Sequence, residues 1–232
     1  MGFSIKASIK WNLPIQHTAC DKHNFVLECE VSAGNVHNSV VFDEVYDKVT
    51  EKFEEVQAVA LDAGYKTPWI LKKITDDGKL AVTPYKRPLG KKGFFKAYDF
   101  VYDEYFNCVI CPNNCILKYT TTNRNGYREF KSNPNDCKNC EFLSKCTENK
   151  NFQKVVQKHI WQDYLELAED IRHSDEGKKI YALRSQTIER VFADAKEKHA
   201  MRHTFIKSLI RVQNWVRLKF ATMNLKKLAM WA

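Results

Sequence analysis

The short apolar run Val56-Gln57-Ala58-Val59-Ala60-Leu61, cut off by Asp62-Ala63-Gly64-Tyr65, constrains this chain more than any other segment. It suits a strand buried inside a sheet, which needs strands beside it and helices packed over it. The flanking sequence supplies both. Phe3, Ile5, Ala7, Ile9 and Trp11 alternate with Ser4, Lys6, Ser8 and Lys10, the pattern of a strand with one buried face. Two further strands are expected at 15–20 and 24–32, joined by the polar turn Asp21-Lys22-His23. Val40, Val41, Val45 and Val49 place a helix over 39–54, Trp69, Ile70 and Ile74 a shorter one, and 79–85 reads as a last strand. Strands, helix, buried strand, helix, strand is the order of an α/β sandwich with a mixed sheet. At 232 residues, 44% of them hydrophobic, the chain has room for one sizeable domain, with or without a small insert, and 8 Gly with 6 Pro argue against disorder.

The pattern breaks after residue 85. The next stretch holds six of the eight cysteines, spaced Cys108-x2-Cys111-x3-Cys115 and Cys137-x2-Cys140-x5-Cys146, among many Asn, Lys and Gly. Paired Cys-x2-Cys elements in a reducing compartment point to structural zinc. Four thiolates complete a tetrahedral site; Cys111, Cys137, Cys140 and Cys146 are the expected ligands, with Cys108 and Cys115 as alternates, against a reading of six free thiols in a loop. Cys20 and Cys29 fall in predicted strands and read as core. From 152 onward helices are expected at about 153–172, 177–200 and 204 to the end, with Ser174 or Asp175 capping the second.

The formal net charge of +9 suggests a polyanionic partner, nucleic acid before an anionic membrane surface. Lys86, Arg87, Lys91, Lys92 and Lys96 fall within eleven residues that contain no acid, with Phe94 and Phe95 among them, as a loop tracking a phosphate backbone would have it. The apolar tail from Ile206 to Trp231 is interrupted by six cations and does not read as a membrane span, and MGFSIKASIKW lacks the apolar core of a signal peptide. A cytoplasmic protein with no membrane partner is expected.

Two acids stand out by position. Asp62 ends the buried strand, where ligands gather in open α/β sheets, although a residue there also caps the next helix. Glu189 and Lys196 lie seven apart in a predicted helix and share a face, as solvated surface pairs also do.

Taken together, His17-Thr-Ala-Cys-Asp21, Gly34-Asn-Val-His37, Leu61-Asp-Ala-Gly-Tyr65-Lys-Thr-Pro-Trp69, Thr83-Pro-Tyr-Lys-Arg-Pro88 and the closing Met223-Asn-Leu-Lys-Lys-Leu228 resemble successive blocks of a group of bacterial insertion-sequence transposases of the DDE type. Tyr181, Arg184, Glu189 and Lys196 resemble that group's Tyr-Arg-Glu-Lys signature. The resemblance runs from about residue 16 to the end. It implies an RNase H-like mixed sheet flanked by helices, with the core in 1–87 and 151–232 and a cysteine-rich, zinc-knuckle-like insert at 88–150. It implies DNA cleavage and strand transfer by paired Mg2+ or Mn2+ ions on carboxylates, with element ends and target DNA as partners. A homodimer within a transposition complex and nucleoid association when DNA-bound go with it. Asp62 would be the second acid and Glu189 the third, Lys196 a phosphate contact, and Tyr181 and Arg184 the residues that position the DNA backbone. Lys86, Arg87, Lys91 and Lys92 would add phosphate contacts.

The chain departs from the pattern in three places. No Asp or Glu precedes Asp21, although the resemblance puts the first acid on the first strand; Asp21 itself sits in a turn. Asn38 follows His37 where Asp is expected. Four residues rather than three separate Arg184 from Glu189, which would rotate Arg184 by about 100° on an ideal helix. The chain would then be a transposase catalytic-domain fragment, inactive on its own, or else a non-catalytic DNA-binding fragment that inhibits an intact transposase.

Overall fold

The computed structural model describes residues 2–8, 15–87 and 90–231. Ile9 and Trp11 of the predicted alternation, and Pro88 and Leu89 of the basic loop, lie outside those residues. The chain divides into two compact units, Met1–Tyr85 with Asp163–Ala232, and Lys86–Gln162.

The first unit is built on β1 (Gly2–Ser8), β2 (Ile15–Asp21), β3 (Val26–Ser32), β4 (Ala58–Leu61) and β5 (Leu80–Val82), in the order β3-β2-β1-β4-β5. β1 to β3 are antiparallel neighbours. β4 runs parallel to β1, with Ser4 opposite Ala60 and Ile5 opposite Leu61, and β5 runs parallel to β4. The mixed sheet expected from the sequence is present. The hairpin between β2 and β3 is closed by Asp21, whose Oδ1 accepts the backbone N–H groups of His23 at 2.9 Å and Phe25 at 2.8 Å. Asn24 takes the left-handed conformation at its tip, with φ +66°.

Strand alternation sorts the two faces of this sheet. Phe3, Ile5, Val59 and Leu61 join Phe42, Val45, Tyr46 and Val49 of α1 (Asn38–Lys52) and Ile70, Leu71 and Ile74 of α2 (Pro68–Asp76) in one buried cluster. Each such aliphatic side chain contributes about 1.5–3 kcal/mol by leaving water. The intervening residues Ser4 and Lys6 therefore belong to the opposite face. On the far side of β2 and β3, Cys20, Cys29 and Val31 pack with Ile188, Val191, Phe192 and Ala195 of α7 (Ile188–Lys198) and Val212, Val216 and Phe220 of α8 (Leu209–Ala229). Buried Glu30 accepts from Lys48, from Gln213 at 2.8 Å and from Arg217 at 2.7 Å, which ties α1 and α8 to β3. Cys20 and Cys29 are core residues whose thiols burial pushes up to about 12.

Two helix expectations are corrected. The segment read as the start of a helix at 153 is β10 (Val155–His159), and α5 begins only at Gln162 (Gln162–His173). The single helix expected over 177–200 is broken. α6 (Asp175–Ala182) ends in a 3-10 turn over Leu183–Ser185, Thr187 leaves the helical region at φ −113°, ψ −98°, and α7 then starts afresh. The hydroxyls of Ser185 and Thr187 donate to the carbonyls of Ala182 and Leu183 at 2.9 Å each, side-chain bonding that competes with a continuous helix. Ser174 is the cap of α6, its Oγ accepting from Gly177 N at 3.0 Å. The turn between α5 and α6 is so tight that a Cβ at Gly177 would lie 1.9 Å from the carbonyl oxygen of Ile171.

The second unit carries an antiparallel sheet of its own: β6 (Val101–Asp103), β7 (Cys108–Ile110), β8 (Ile116–Thr122), β9 (Tyr127–Lys131) and β10, in the order β10-β9-β8-β7-β6. The sequence does not announce it, because most of Ile116–Thr122 is exposed and an apolar-polar alternation has no buried face to report. Its core cluster is small: Phe100, Val109, Leu117 and Phe130. Two short helices, α3 (Pro134–Lys138) and α4 (Leu143–Cys146), carry Cys137 and Cys146.

Candidate active site

Asp62 and Glu189 are brought together in the first unit. Asp62 stands at the end of β4, where its backbone N–H donates to Ile5 of β1 at 3.2 Å. Its Oδ1 also accepts from Ala63 N at 2.8 Å, capping the 3-10 turn Ala63–Tyr65, so the structural role expected of an acid at this place is filled as well. Gly64 lets the turn close, since a Cβ there would lie 2.4 Å from the Asn38 side-chain nitrogen. Glu189 stands in the first turn of α7. Between the two acids lies Arg184, its side chain 5% exposed, with Nη2 at 3.9 Å from Asp62 Oδ1 and from Glu189 Oε1. Its Nη1 donates to Tyr181 Oη at 2.9 Å, while Nε and Nη2 make no hydrogen bond. The helix break before Glu189 makes this possible: Arg184 belongs to the 3-10 turn, so the rotation expected of an unbroken helix does not apply.

A residue the sequence reading passed over completes the group. Lys6 of β1 donates to Glu189 Oε2. Parallel pairing puts Ile5 opposite Leu61, so the next step along both strands brings Lys6 beside Asp62. The only sequence signal was the alternation of β1, which assigned Lys6 to the face away from Phe3 and Ile5 without saying what lay there.

The transposase DDE domain family matches residues 110–229 of the chain, just over half of it. The chain belongs to the transposase DDE domain family. The match takes in Tyr181, Arg184, Glu189 and Lys196 and stops short of Lys6 and Asp62. No curated protein and no solved structure matches the chain. Membership in the transposase family ties the chain to DNA transposition and makes DNA its partner. No helix among the described residues is long and apolar enough to cross a membrane.

Transposase DDE domains generally use divalent metals, and the cluster around Asp62 does not fit a pair of them. Two carboxylates face two cations, Lys6 and Arg184, so the group is already neutral before any metal arrives. A divalent ion placed there would meet an ammonium and a guanidinium at close range, where like charges repel strongly. Among the described residues, no three His, Cys, Asp or Glu side chains are grouped to hold a metal ion.

The other residues singled out in this transposase family member are dispersed. Lys196 is half-buried on α7, seven residues and hence roughly 10 Å along the helix from Glu189. Lys86, Arg87 and Lys92 are exposed. Lys91 is drawn into an ion pair with Glu148, an acid distant in sequence, and its carbonyl accepts from Lys96 Nζ at 2.8 Å. His17, part of the first resembling block, is buried between Tyr65 Oη at 2.6 Å and Ser32 Oγ at 2.8 Å, and burial lowers its pKa to about 4. His37 N-caps α1, its Nδ1 accepting from Ser39 N at 3.2 Å.

Five cysteines of the second unit, Cys111, Cys115, Cys137, Cys140 and Cys146, line one cavity of about 20 Å³. Cys108 does not; it is buried in β7. Cys111 and Cys115 close a tight turn, with Cys111 N donating to Cys115 O at 3.0 Å and Cys115 N donating to Cys111 Sγ at 3.3 Å. The Asn113 amide donates to Cys140 Sγ at 3.5 Å. Burial, together with the neighbouring Cys137, Cys111 and Cys140, raises the pKa of Cys146.

Proposed function

We propose that this chain is a transposase domain with an RNase H-like core that binds DNA and does not cut it. The observation that carries the reading is Lys6 next to Asp62 in the strand register and paired with Glu189, on the first strand, where the resemblance expects the first acid. The order β3-β2-β1-β4-β5, with Asp62 at the end of the strand beside β1 and Glu189 on a helix packed over the sheet, supports an RNase H-like core. The sequence assigns the core to 1–87 and 151–232 and the cysteine-rich insert to 88–150; because β10 pairs with β9, the proposed core is 1–85 with 163–232 and the insert 86–162. DNA binding draws on exposed cations rather than on metal positioning, and Lys86, Arg87, Lys92 and the half-buried Lys196 remain available for it. Arg184 lies between the two carboxylates and donates to Tyr181, and its side chain is buried, which leaves it little surface for a phosphate.

Binding of a duplex carrying an element end, followed by fluorescence anisotropy over a salt series, tests this. Affinity is expected to fall steeply with salt, and Lys196→Glu should lower the slope of log K against log salt by about 1. The same preparations should give no nicked product with Mg2+ or Mn2+. Tight binding that ignores salt, or cleavage by the native chain, overturns the reading.

We propose also that the second unit is held by one structural zinc. Thiolate is a donor zinc takes, and four of the five thiols lining the cavity would complete its shell. Cys111, Cys137, Cys140 and Cys146 are the assigned ligands, with Cys115 as the alternate. The thiols are right in kind and number but are not drawn into a closed group. A unit with so small an apolar core gains most from such a clamp. Metal analysis of purified protein should find about one zinc per chain, released together with reactive thiols by a chelator. No zinc, with the five thiols lining the cavity titrating freely in the folded chain, would defeat it.

A further inference from the structure

Away from Asp62 and Glu189, the first unit has a second feature suited to a polyanion: a groove of about 740 Å³ between α7, α8 and the β2–β3 hairpin. Arg190, Lys198, Lys226 and Lys227 line it with His23 and His199. Asp194 is the acid in its wall and is already paired with Lys198 at 2.7 Å. The groove thus carries a surplus of fixed positive charge. At its rim Trp231 lies nearly parallel to Phe25, with centroids 5.2 Å apart and the rings inclined by 23°, and His23 meets its edge at 4.9 Å. Trp231 is 53% exposed, so an indole braced from one side still offers surface to solvent. Lys227 stands over the Phe25 ring at 5.7 Å.

The walls are fixed to the sheet. Asn224 of α8 accepts the backbone N–H of Val26 at 2.9 Å and donates to its carbonyl at 2.8 Å, pinning the helix to the outer strand of the sheet. α7 and α8 share a buried cluster with Cys20, Cys29 and Val31. The helices that carry Arg190, Lys226 and Lys227 are therefore held in one arrangement before any ligand comes.

We infer that this groove binds a single-stranded stretch of nucleic acid, its phosphates along Arg190, Lys226 and Lys227 and one unstacked base on Trp231. Cations beside an exposed, braced aromatic ring are what a strand with free base faces requires; a paired duplex hides those faces and would use the cations alone. The inference rests on the reading that the chain's partner is nucleic acid. It adds a contact surface within the first unit whose lining does not include Lys196.

Labelled thymidine and uridine oligonucleotides, a duplex, and vesicles of anionic lipid serve as probes for the full chain. Trp231→Ala should weaken oligonucleotide binding by about tenfold while leaving duplex binding within twofold, and Trp231→Phe should restore most of the loss. Arg190→Glu combined with Lys226→Glu should weaken oligonucleotide binding further and flatten its salt dependence by about 2 in slope. A stronger effect on the thymidine than on the uridine probe assigns the strand as DNA, and the reverse as RNA; either supports the groove. If duplex binding is intact and neither set of variants changes oligonucleotide binding, the groove inference fails alone. If the native chain binds no nucleic acid, the proposed function falls with it. Anionic vesicles bound as tightly, and through the same residues, would overturn the assignment in favour of a lipid surface. Unchanged circular dichroism of the variants separates loss of contact from loss of fold.

Discussion

Replacing Lys6 by aspartate is expected to tighten Mn2+ binding by at least tenfold, measured by calorimetry on the full chain. The native group of Lys6, Arg184, Asp62 and Glu189 sums to zero charge, and the substitution takes it to −2. At roughly 4 Å and an effective dielectric of about 20, each unit charge interacts with another by about 4 kcal/mol. Desolvation consumes much of this, so tenfold, or about 1.4 kcal/mol, is a conservative expectation. Lys6→Asn removes the ammonium without adding an acid and should fall between the two. Glu189→Gln in the Lys6→Asp background should undo the gain. Equal Mn2+ affinity for the native chain and Lys6→Asp would remove the role given to Lys6. Cleavage of an element end by the native chain, lost on Asp21→Ala, would show that Asp21 serves as the missing acid despite its place in the hairpin turn.

Acid is expected to destabilise the first unit from about pH 6.5 downward, beginning above the range where carboxylates titrate, through His17. Its folded pKa of about 4 lies below the unfolded value near 6.5, because burial disfavours the imidazolium. Between those two values the unfolded chain binds the extra proton and the folded chain does not. Stability is therefore full above about pH 6.5 and is lost as pH falls towards 4. A separation of about 2.5 units corresponds to about 3 kcal/mol, a large share of the stability of an ordinary domain. Urea denaturation followed by circular dichroism at a series of pH values measures it. His17→Gln, which bonds to Tyr65 and Ser32 without titrating, should lose that dependence while costing some stability at neutral pH. Glu28 and Glu169, whose pKa values are lowered from the ordinary carboxylate range, lose their contributions only at lower pH. His159, also lowered, belongs to the other unit. A native chain as stable at pH 4.5 as at pH 7 would contradict the assignment of His17 as a neutral core residue.

The sequence by itself determined the parts of this protein that depend on local periodicity and short-range chemistry. The alternation of Phe3, Ile5 and Ala7, the buried run ending at Leu61 and the valines of α1 placed the strands and helices of the mixed sheet, because burial of one face repeats every second or every 3.6 residues. Asp62 at a strand end was found the same way, whereas Glu189, read inside one long helix, was singled out by the family resemblance.

Tertiary structure decided the rest. The break between α6 and α7 depends on Ser185 and Thr187 bonding back to the preceding turn, and nothing in residue spacing distinguishes that from a continuous helix. The sheet of the second unit, with mostly exposed strands, left no apolar periodicity to read. The six spaced cysteines were legible as a group, but which five line one cavity was decided by the Cys111–Cys115 turn and by the placement of α3 and α4. Lys6 is the sharpest instance. As a sequence position it is one polar residue in an alternating strand. Only parallel pairing of β1 with β4, and the packing of α7 over the sheet, bring Lys6 to the strand position next to Asp62 and its ammonium against Glu189, because an ion pair across 183 residues is fixed by where the chain returns, not by what its neighbours are.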